Sequence, residues 1–219
     1  MQTCVQNLII IKKKIENRLN DLEKSKSPKI IAVSKTFPIE KIHPLIDEGH
    51  LDFGENKVQE SVDKWSGIKS INKNIKLHFI GKLQRNKVKY VVKIFDYIHS
   101  VDNEKLAKKI ADEMYKLNRN IKIFIQVNIG QEIQKSGVDI KNFDKLYSFC
   151  KYLKLDVIGL MCLPPENEDP KKYFMEMELL AKKYNLNDLS MGMSSDYLDA
   201  IKYSSTFVRI GSDIFGKRN

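Results

Sequence analysis

Residues 30–54, IIAVSKTFPIEKIHPLIDEGHLDFG, decide how this chain folds. Ile30–Val33 is short, apolar and rich in β-branched residues, the composition of a buried strand. Ser34, Lys35 and Thr36 close it, Ile39–Glu48 reads as an amphipathic helix, and Leu51–Phe53 is a second apolar run ending at Gly54. Strand, helix, strand in so short a span predicts a β-α-β unit with parallel strands.

The same pattern recurs along the chain. Further strand-like runs lie at Leu77–Ile80, Tyr97–Val101, Ile121–Val127, Val157–Met161, Leu189–Met191 and Phe207–Ile210. Between them stand helix candidates at Val58–Trp65, Lys87–Ile94, Glu104–Leu117, Ile140–Leu153, Pro170–Tyr184 and Asp196–Tyr203. A leading helix over Val5–Lys24 places Leu8, Ile11, Ile15, Leu19 and Leu22 on one face. Eight strands alternating with helices predict an α/β chain closed into one (β/α)8 TIM-type barrel. Residues 1–219 are then a single domain, with 1–27 as a helix packed on the barrel. An open doubly wound sheet is the rival, but GxGxxG is absent. Gly54, Gly81, Gly130, Gly192 and Gly211 fall at or just past the C-terminal ends of these strands, the face where barrels carry their sites.

Composition narrows the classes. Of 38 basic residues, five are arginine (Arg18, Arg85, Arg119, Arg209, Arg218), and the net charge is +10. The lysines are scattered among acidic residues, which reads as a solvated surface with no nucleic-acid partner. No apolar run approaches the ~20 residues that span a membrane, and Leu8–Ile11 is too short for an export signal. Three widely spaced cysteines, Cys4, Cys150 and Cys162, form no CxxC or Cys/His cluster, which points to a reduced, cytoplasmic setting without structural zinc.

Two loops suit a phosphate. Met191-Gly192-Met193-Ser194-Ser195-Asp196 follows the seventh strand and opens a helix, where hydroxyls and backbone N–H groups favour an anion. Gly211-Ser212 follows the eighth strand, and the seventh and eighth loops are where barrels grip phosphate. The competing reading makes Ser194 or Ser195 a helix cap. Lys35 ends the first strand, beside the eighth on closure. Its amine is suited to imine chemistry if apolar walls lower its pKa, although position alone does not separate it from the other lysines.

A set of ordered motifs adds to this. Ala32-Val33-Ser34-Lys35-Thr36, Phe53-Gly54-Glu55-Asn56, His78 through Gln84 with Asn86-Lys87, Gln126-Val127-Asn128, Lys135-Ser136-Gly137, Ser190 through Ser194, and Val208 through Ser212 with Ile214-Phe215-Gly216 resemble the pyridoxal phosphate homeostasis protein family. The resemblance runs from about residue 28 to the C-terminus. It implies a fold-type III barrel like the N-terminal domain of alanine racemase, with pyridoxal 5′-phosphate as cofactor. Lys35 matches the lysine that carries the cofactor as a Schiff base. Ser194, Gly211 and Ser212 match phosphate-loop positions, with Ser195 a further donor. Arg209 matches an arginine facing the ring nitrogen or the phosphate side, and Asn56 a residue near the ring.

The resemblance also implies a role: holding the cofactor within the cell and passing it to apo-enzymes, with no established catalysis. A weak amino-acid racemase is the alternative. Racemisation needs proton-transfer groups on both faces of the substrate carbon, and in alanine racemase the second comes from a separate β-domain. That domain is expected to be missing here, because the chain ends with the barrel at Asn219. A monomer is expected. His43, His50, His78 and His99 show no metal spacing, Cys162 reads as a buried inert thiol, Tyr197 and Tyr203 as helix packing, and Asp213 as solvent-facing.

Overall fold

The computed structural model describes residues 3–132 and 134–216, so Arg218 and the extreme termini lie outside it. Eight strands follow one another around a closed, all-parallel barrel. They are β1 (Lys29–Val33), β2 (Asp52–Glu55), β3 (Lys76–Phe79), β4 (Tyr97–Val101), β5 (Lys122–Val127), β6 (Asp156–Cys162), β7 (Asp188–Ser190) and β8 (Phe207–Ile210). The helices described are α1 (Thr3–Asp21), α2 (Ile39–Asp47), α3 (Val58–Ile71), α4 (Val88–Ile94), α5 (Glu104–Lys116), α6 (Ile140–Tyr152), α7 (Pro170–Lys183), α8 (Tyr197–Lys202) and α9 (Ser212–Phe215). Closure is made by β1 and β8, with Ile31 beside Arg209 and Ala32 beside Ile210.

Most strand residues are apolar and buried because both faces of the strands are covered. On the outer face, strand residues such as Phe53 and Phe79 pack with Trp65, Phe95, Phe143 and Phe174 under the helices. A second, smaller cluster fills the barrel interior: Ile31, Tyr97, Phe124, Met161 and Phe207. Helix starts follow local chemistry. Asn103, Asp139 and Asp169 each accept a backbone N–H at the first turn of α5, α6 and α7.

Two elements depart from the sequence expectation. Helix α3 continues past Trp65 to Ile71, through a polar stretch whose last apolar residue is 89% exposed, so amphipathic periodicity ran out before the helix did. The four-residue α9 is too short to leave a periodic pattern.

The leading helix α1 buries Val5, Leu8, Ile11, Ile15 and Leu19. It also ties down the last two β-α units. Arg18 Nε donates to Leu198 O (3.2 Å), Lys24 Nζ to Ile201 O and Lys202 O (3.2 and 2.7 Å), and Asn7 Nδ2 to Ile214 O (3.0 Å). Lys24 thereby adds a donor to Ile201 O, which also accepts from Ser204 N (3.2 Å), and supplies one to Lys202 O at the end of α8.

Candidate functional site

At the C-terminal ends of the strands a cavity of about 1010 Å³ is lined by Lys35, Asn56, Ser194, Ser195, Arg209, Gly211 and Ser212 together. These seven residues follow or belong to β1, β2, β7 and β8, and the closure of the barrel is what brings them to one place.

Lys35 is half-buried, and the backbone on either side of it is held. Before it, Ser34 is fully buried and donates through Oγ to Glu55 Oε1 (2.8 Å). The same carboxylate oxygen accepts from Lys64 Nζ (3.0 Å) and Trp65 Nε1 (2.9 Å), and Lys64 Nζ also donates to Ser34 O. After Lys35, Thr36 has φ of +69°, a left-handed conformation that a β-branched residue adopts only under constraint. Its N–H is fixed by Glu60 Oε1 at 2.6 Å. A strained residue held from α3 sets the exit of the chain from the strand, and with it the direction of the lysine.

The loops after β7 and β8 meet. Ser194 Oγ accepts from Asp213 N at 3.4 Å, and Asp213 itself is exposed. The cap reading of the serines is corrected here. The residue flanking α8 is Asp196, whose Oδ1 accepts from Met193 N (2.6 Å), and neither Ser194 nor Ser195 caps the helix. The serines fall in the turn ahead of α8, where their hydroxyls line the cavity. Burial raises the Asp196 carboxyl above its ordinary value.

Arg209 forms part of the wall and is only 4% exposed. Its NH1 donates to the carbonyl and the hydroxyl of Ser190 (2.5 and 2.8 Å), and its NH2 to Cys162 O (2.9 Å). Burial lowers the guanidinium from its ordinary pKa, yet an arginine stays charged and donor-only. On the other side, the buried Asn56 Oδ1 has no hydrogen-bond partner among the described residues. Buried acceptors without partners are rare in folded chains and mark where a donor is expected to come from elsewhere. Gly81 makes this corner possible: a Cβ there would stand 2.3 Å from Asn56 O.

Other lining residues received no role from the sequence. Gln126 on β5 is buried and donates to Ser136 O (3.0 Å), folding the 128–139 loop back against its own strand through the Val127–Val138 bridge. Lys82, Lys135 and Glu166 line the same cavity. The signal for Gln126 and Lys135 was present in the motifs that contain them, but spacing does not tell which motif side chains face inward. Cys162 is buried, with its thiol pushed up to about 12 by burial, and Tyr197 is buried at the start of α8. Among the described residues there is no cluster of three or more His, Cys, Asp or Glu placed to hold a metal ion.

Chemically, the cavity offers an amine, a group of hydroxyls on paired loops, a buried guanidinium and an amide oxygen, with Val33, Ile80, Leu163 and Met193 as apolar wall. That set suits a flat, anionic small molecule carrying an electrophilic carbon.

Comparison with known proteins gives the same direction. Residues 10–219 match the family model described as alanine racemase, N-terminal domain. The chain is similar to a pyridoxal phosphate homeostasis protein of Aquifex aeolicus, 40% identical over 200 residues and covering 87% of each chain. It is similar in structure to PipY of Synechococcus elongatus solved with PLP bound, with TM-score 0.80, 31% identity, 92% of this chain and 100% of that one. An alanine racemase of Clostridium difficile shares the fold, with TM-score 0.71 at 14% identity over 94% of this chain and 56% of the racemase.

Proposed function

This chain belongs to the pyridoxal phosphate homeostasis protein family, and we propose from that premise that it binds pyridoxal 5′-phosphate in the cavity above the barrel, holds it through Lys35 and passes it on. The observation that carries the reading is the convergence of Lys35, the paired serine loops, Arg209 and the partnerless Asn56 oxygen on one cavity. When bound, the cofactor supplies an aldehyde open to attack by an amine, and a ring able to withdraw electrons.

Each residue has a separate task. Lys35 Nζ is the covalent attachment point. Ser194, Ser195 and Ser212 donate hydroxyl hydrogens to the phosphate, beside Gly211, where little side-chain bulk stands between anion and backbone. Arg209, donor-only, would stand toward the ring nitrogen and disfavour its protonation. Asn56 Oδ1 accepts from a donor group near the ring.

Racemisation is the second reading, favoured by the shared fold with alanine racemase. It requires an acid–base group opposite Lys35. Among the described lining residues, the other ionisable groups besides Arg209 are Lys82, Lys135 and Glu166, and none is a tyrosine, histidine or cysteine. An arginine at the ring nitrogen also weakens the electron sink such chemistry needs. Both points support a carrier over a catalyst.

The carrier is proposed to act as a monomer in the reducing cytoplasm, with PLP-dependent apo-enzymes as recipients. Cys4, Cys150 and Cys162 are all free thiols, and no helix among the described residues is long and apolar enough to cross a membrane. The test is to add pyridoxal 5′-phosphate, reduce with borohydride and map the labelled peptide. Label at Lys35, lost in Lys35→Ala, is expected; label on another lysine would sink the assignment. Incubation with L-alanine in deuterated water separates the two readings. Cα exchange at ordinary enzyme rates, on the order of 1–10³ per second, would favour the racemase.

A further inference from the structure

A chain of buried polar side chains runs through the interior of the barrel, from the end opposite the cavity up to Arg209. Asp52 begins β2, its side chain is 21% exposed, and it lines a separate cavity beside α1. Asp52 Oδ1 lies 3.0 Å from His78 Nε2 on β3, and His78 Nδ1 lies 3.0 Å from His99 Nε2 on β4. His99 Nδ1 lies 2.9 Å from Ser190 Oγ on β7, and Ser190 Oγ accepts from Arg209 NH1 on β8 at 2.8 Å. His78, His99 and Ser190 are each fully buried.

The hydrogens in this chain have one consistent arrangement. Arginine only donates, and an ionised carboxylate only accepts. Two imidazole nitrogens 3.0 Å apart need one hydrogen and one lone pair between them. Asp52 only accepts, so a neutral His78 carries its hydrogen on Nε2 and accepts at Nδ1. His99 then donates from Nε2, which leaves its Nδ1 to accept the Ser190 hydroxyl hydrogen, while a lone pair of Ser190 Oγ accepts from Arg209. Every donor points toward Asp52, and both imidazoles are neutral Nε2–H tautomers. Burial lowers the pKa of both rings, most strongly His99, where His78 and Arg209 add to the effect. For Asp52, burial works toward a higher value, but the His78 bond and nearby cations outweigh it and hold the carboxyl below its ordinary range.

The rings have little freedom to reorient. His78 stacks on Tyr97 with centroids 4.2 Å apart and an interplanar angle of 10°, and His99 stacks on Phe124 at 4.3 Å and 17°. Phe207 stands edge-on to His99.

We infer that Asp52 is a positioning residue for the cavity at the other end of the barrel: through His78, His99 and Ser190 it fixes how Arg209 presents its guanidinium. The inference rests on the reading of that cavity as the pyridoxal 5′-phosphate site. A buried polar network orients its members as a unit, so the loss of its terminal acceptor is felt along its length. Without Asp52, the His78 Nε2–H loses its acceptor and the reverse tautomers become competitive. The Ser190 hydroxyl then no longer has a fixed direction, and the wall contact that holds Arg209 loosens.

Two measurements test this. Side-chain nitrogen–proton correlation spectra of the unliganded protein read the histidine tautomers, and fluorescence titration with pyridoxal 5′-phosphate reads affinity. In wild type, His78 and His99 should both show the Nε2–H tautomer. Asp52→Ala should give mixed tautomers at His99, two rings distant, and weaken cofactor affinity roughly three- to tenfold. Asp52→Asn, which keeps an acceptor oxygen, should restore the His99 tautomer. The double variant Asp52→Ala/Ser190→Ala should bind no more weakly than the worse single variant, because both cut one chain. An unchanged His99 spectrum in Asp52→Ala, or additive losses in the double variant, would overturn the relay. If Asp52→Ala does not fold, His78→Phe keeps the stack on Tyr97 and cuts the chain at its middle, with the same loss of affinity and the same change at His99 expected. A wild type that takes up no cofactor would defeat the functional reading instead, and the tautomer spectra alone would then decide the relay.

Discussion

The two ends of this barrel have similar compositions and different chemistry. The lower cavity, about 650 Å³, is lined by Lys12, Lys24, Lys29, Ser25 and Ser27, and the upper by Lys35, Lys82, Lys135 and serines of the β7 and β8 loops. At the lower end the polar groups find partners within the protein: Lys24 donates to two carbonyls closing α8, and Asp52 accepts from His78. At the upper end a guanidinium 4% exposed forms the wall, an amide oxygen has no partner among the described residues, and Thr36 holds a strained backbone angle beside Lys35. Lysine and serine content does not mark a site. Polar groups that are buried, oriented and incompletely satisfied do, because the fold leaves part of their stabilisation to a ligand.

The contrast breaks if serines at the two ends prove equivalent. Ser194→Ala or Ser212→Ala should weaken binding of pyridoxal 5′-phosphate about tenfold or more, since hydrogen bonds to a charged group are worth roughly 1.5–3 kcal/mol. Ser27→Ala, at the lower end, should leave it unchanged. Calorimetry on the three variants checks this, and equal losses would place the anion outside the β7 and β8 loops.

A second comparison sets two glycines against each other. Gly81→Ala would push a Cβ to 2.3 Å from Asn56 O, so backbone must shift to admit it, for an expected loss of about 1–3 kcal/mol. Gly49 at the lower end has φ of +82° but open space around it, so Gly49→Ala should cost only the conformational strain, about 1 kcal/mol. Urea unfolding measures both. A larger loss at Gly49 would mean that the tight approach at Gly81 is relieved by movement.

A third test concerns pH. Burial lowers the pKa of His50 and His78, and that of His99 further still. The unfolded chain, with ordinary values near 6.5, therefore binds protons that the folded chain refuses. Stability should be full above that pH and fall as pH drops through about 6.5 toward the lowered native values, by up to about 1.4 kcal/mol per pH unit for each histidine. Urea midpoints between about pH 7.5 and 5.5 follow it. A flat profile would mean that these rings take up protons in the folded state, and the interior relay would lose its neutral tautomers.

Much of the architecture is legible in the amino-acid sequence alone. Residues 30–54 announce strand, helix and strand because strand composition and helical spacing are local properties. The recurrence of that unit leaves parallel closure as the simplest way to bury eight apolar strands. Lys35 and the serine loops are legible because a strand end is a definite place in a barrel. The boundary of α8 is not: Asp196 and the two serines before it are equally able to cap, and the backbone puts Asp196 at the first flanking position without a side-chain bond to the helix.

The relay is beyond the reach of sequence altogether. Asp52, His78, His99, Ser190 and Arg209 stand on five strands, and the gap between His99 and Ser190 alone is 91 positions. No periodicity links them, and His78 and Cys162 look equally inert when read in their own segments. The amino-acid sequence determined the elements, their order and the end of the barrel where the candidate site residues gather, since those follow from interactions within a few residues. Only the closed tertiary structure decided which polar side chains share the interior. Inward direction depends on the register between strands, and register is settled by packing across the whole barrel.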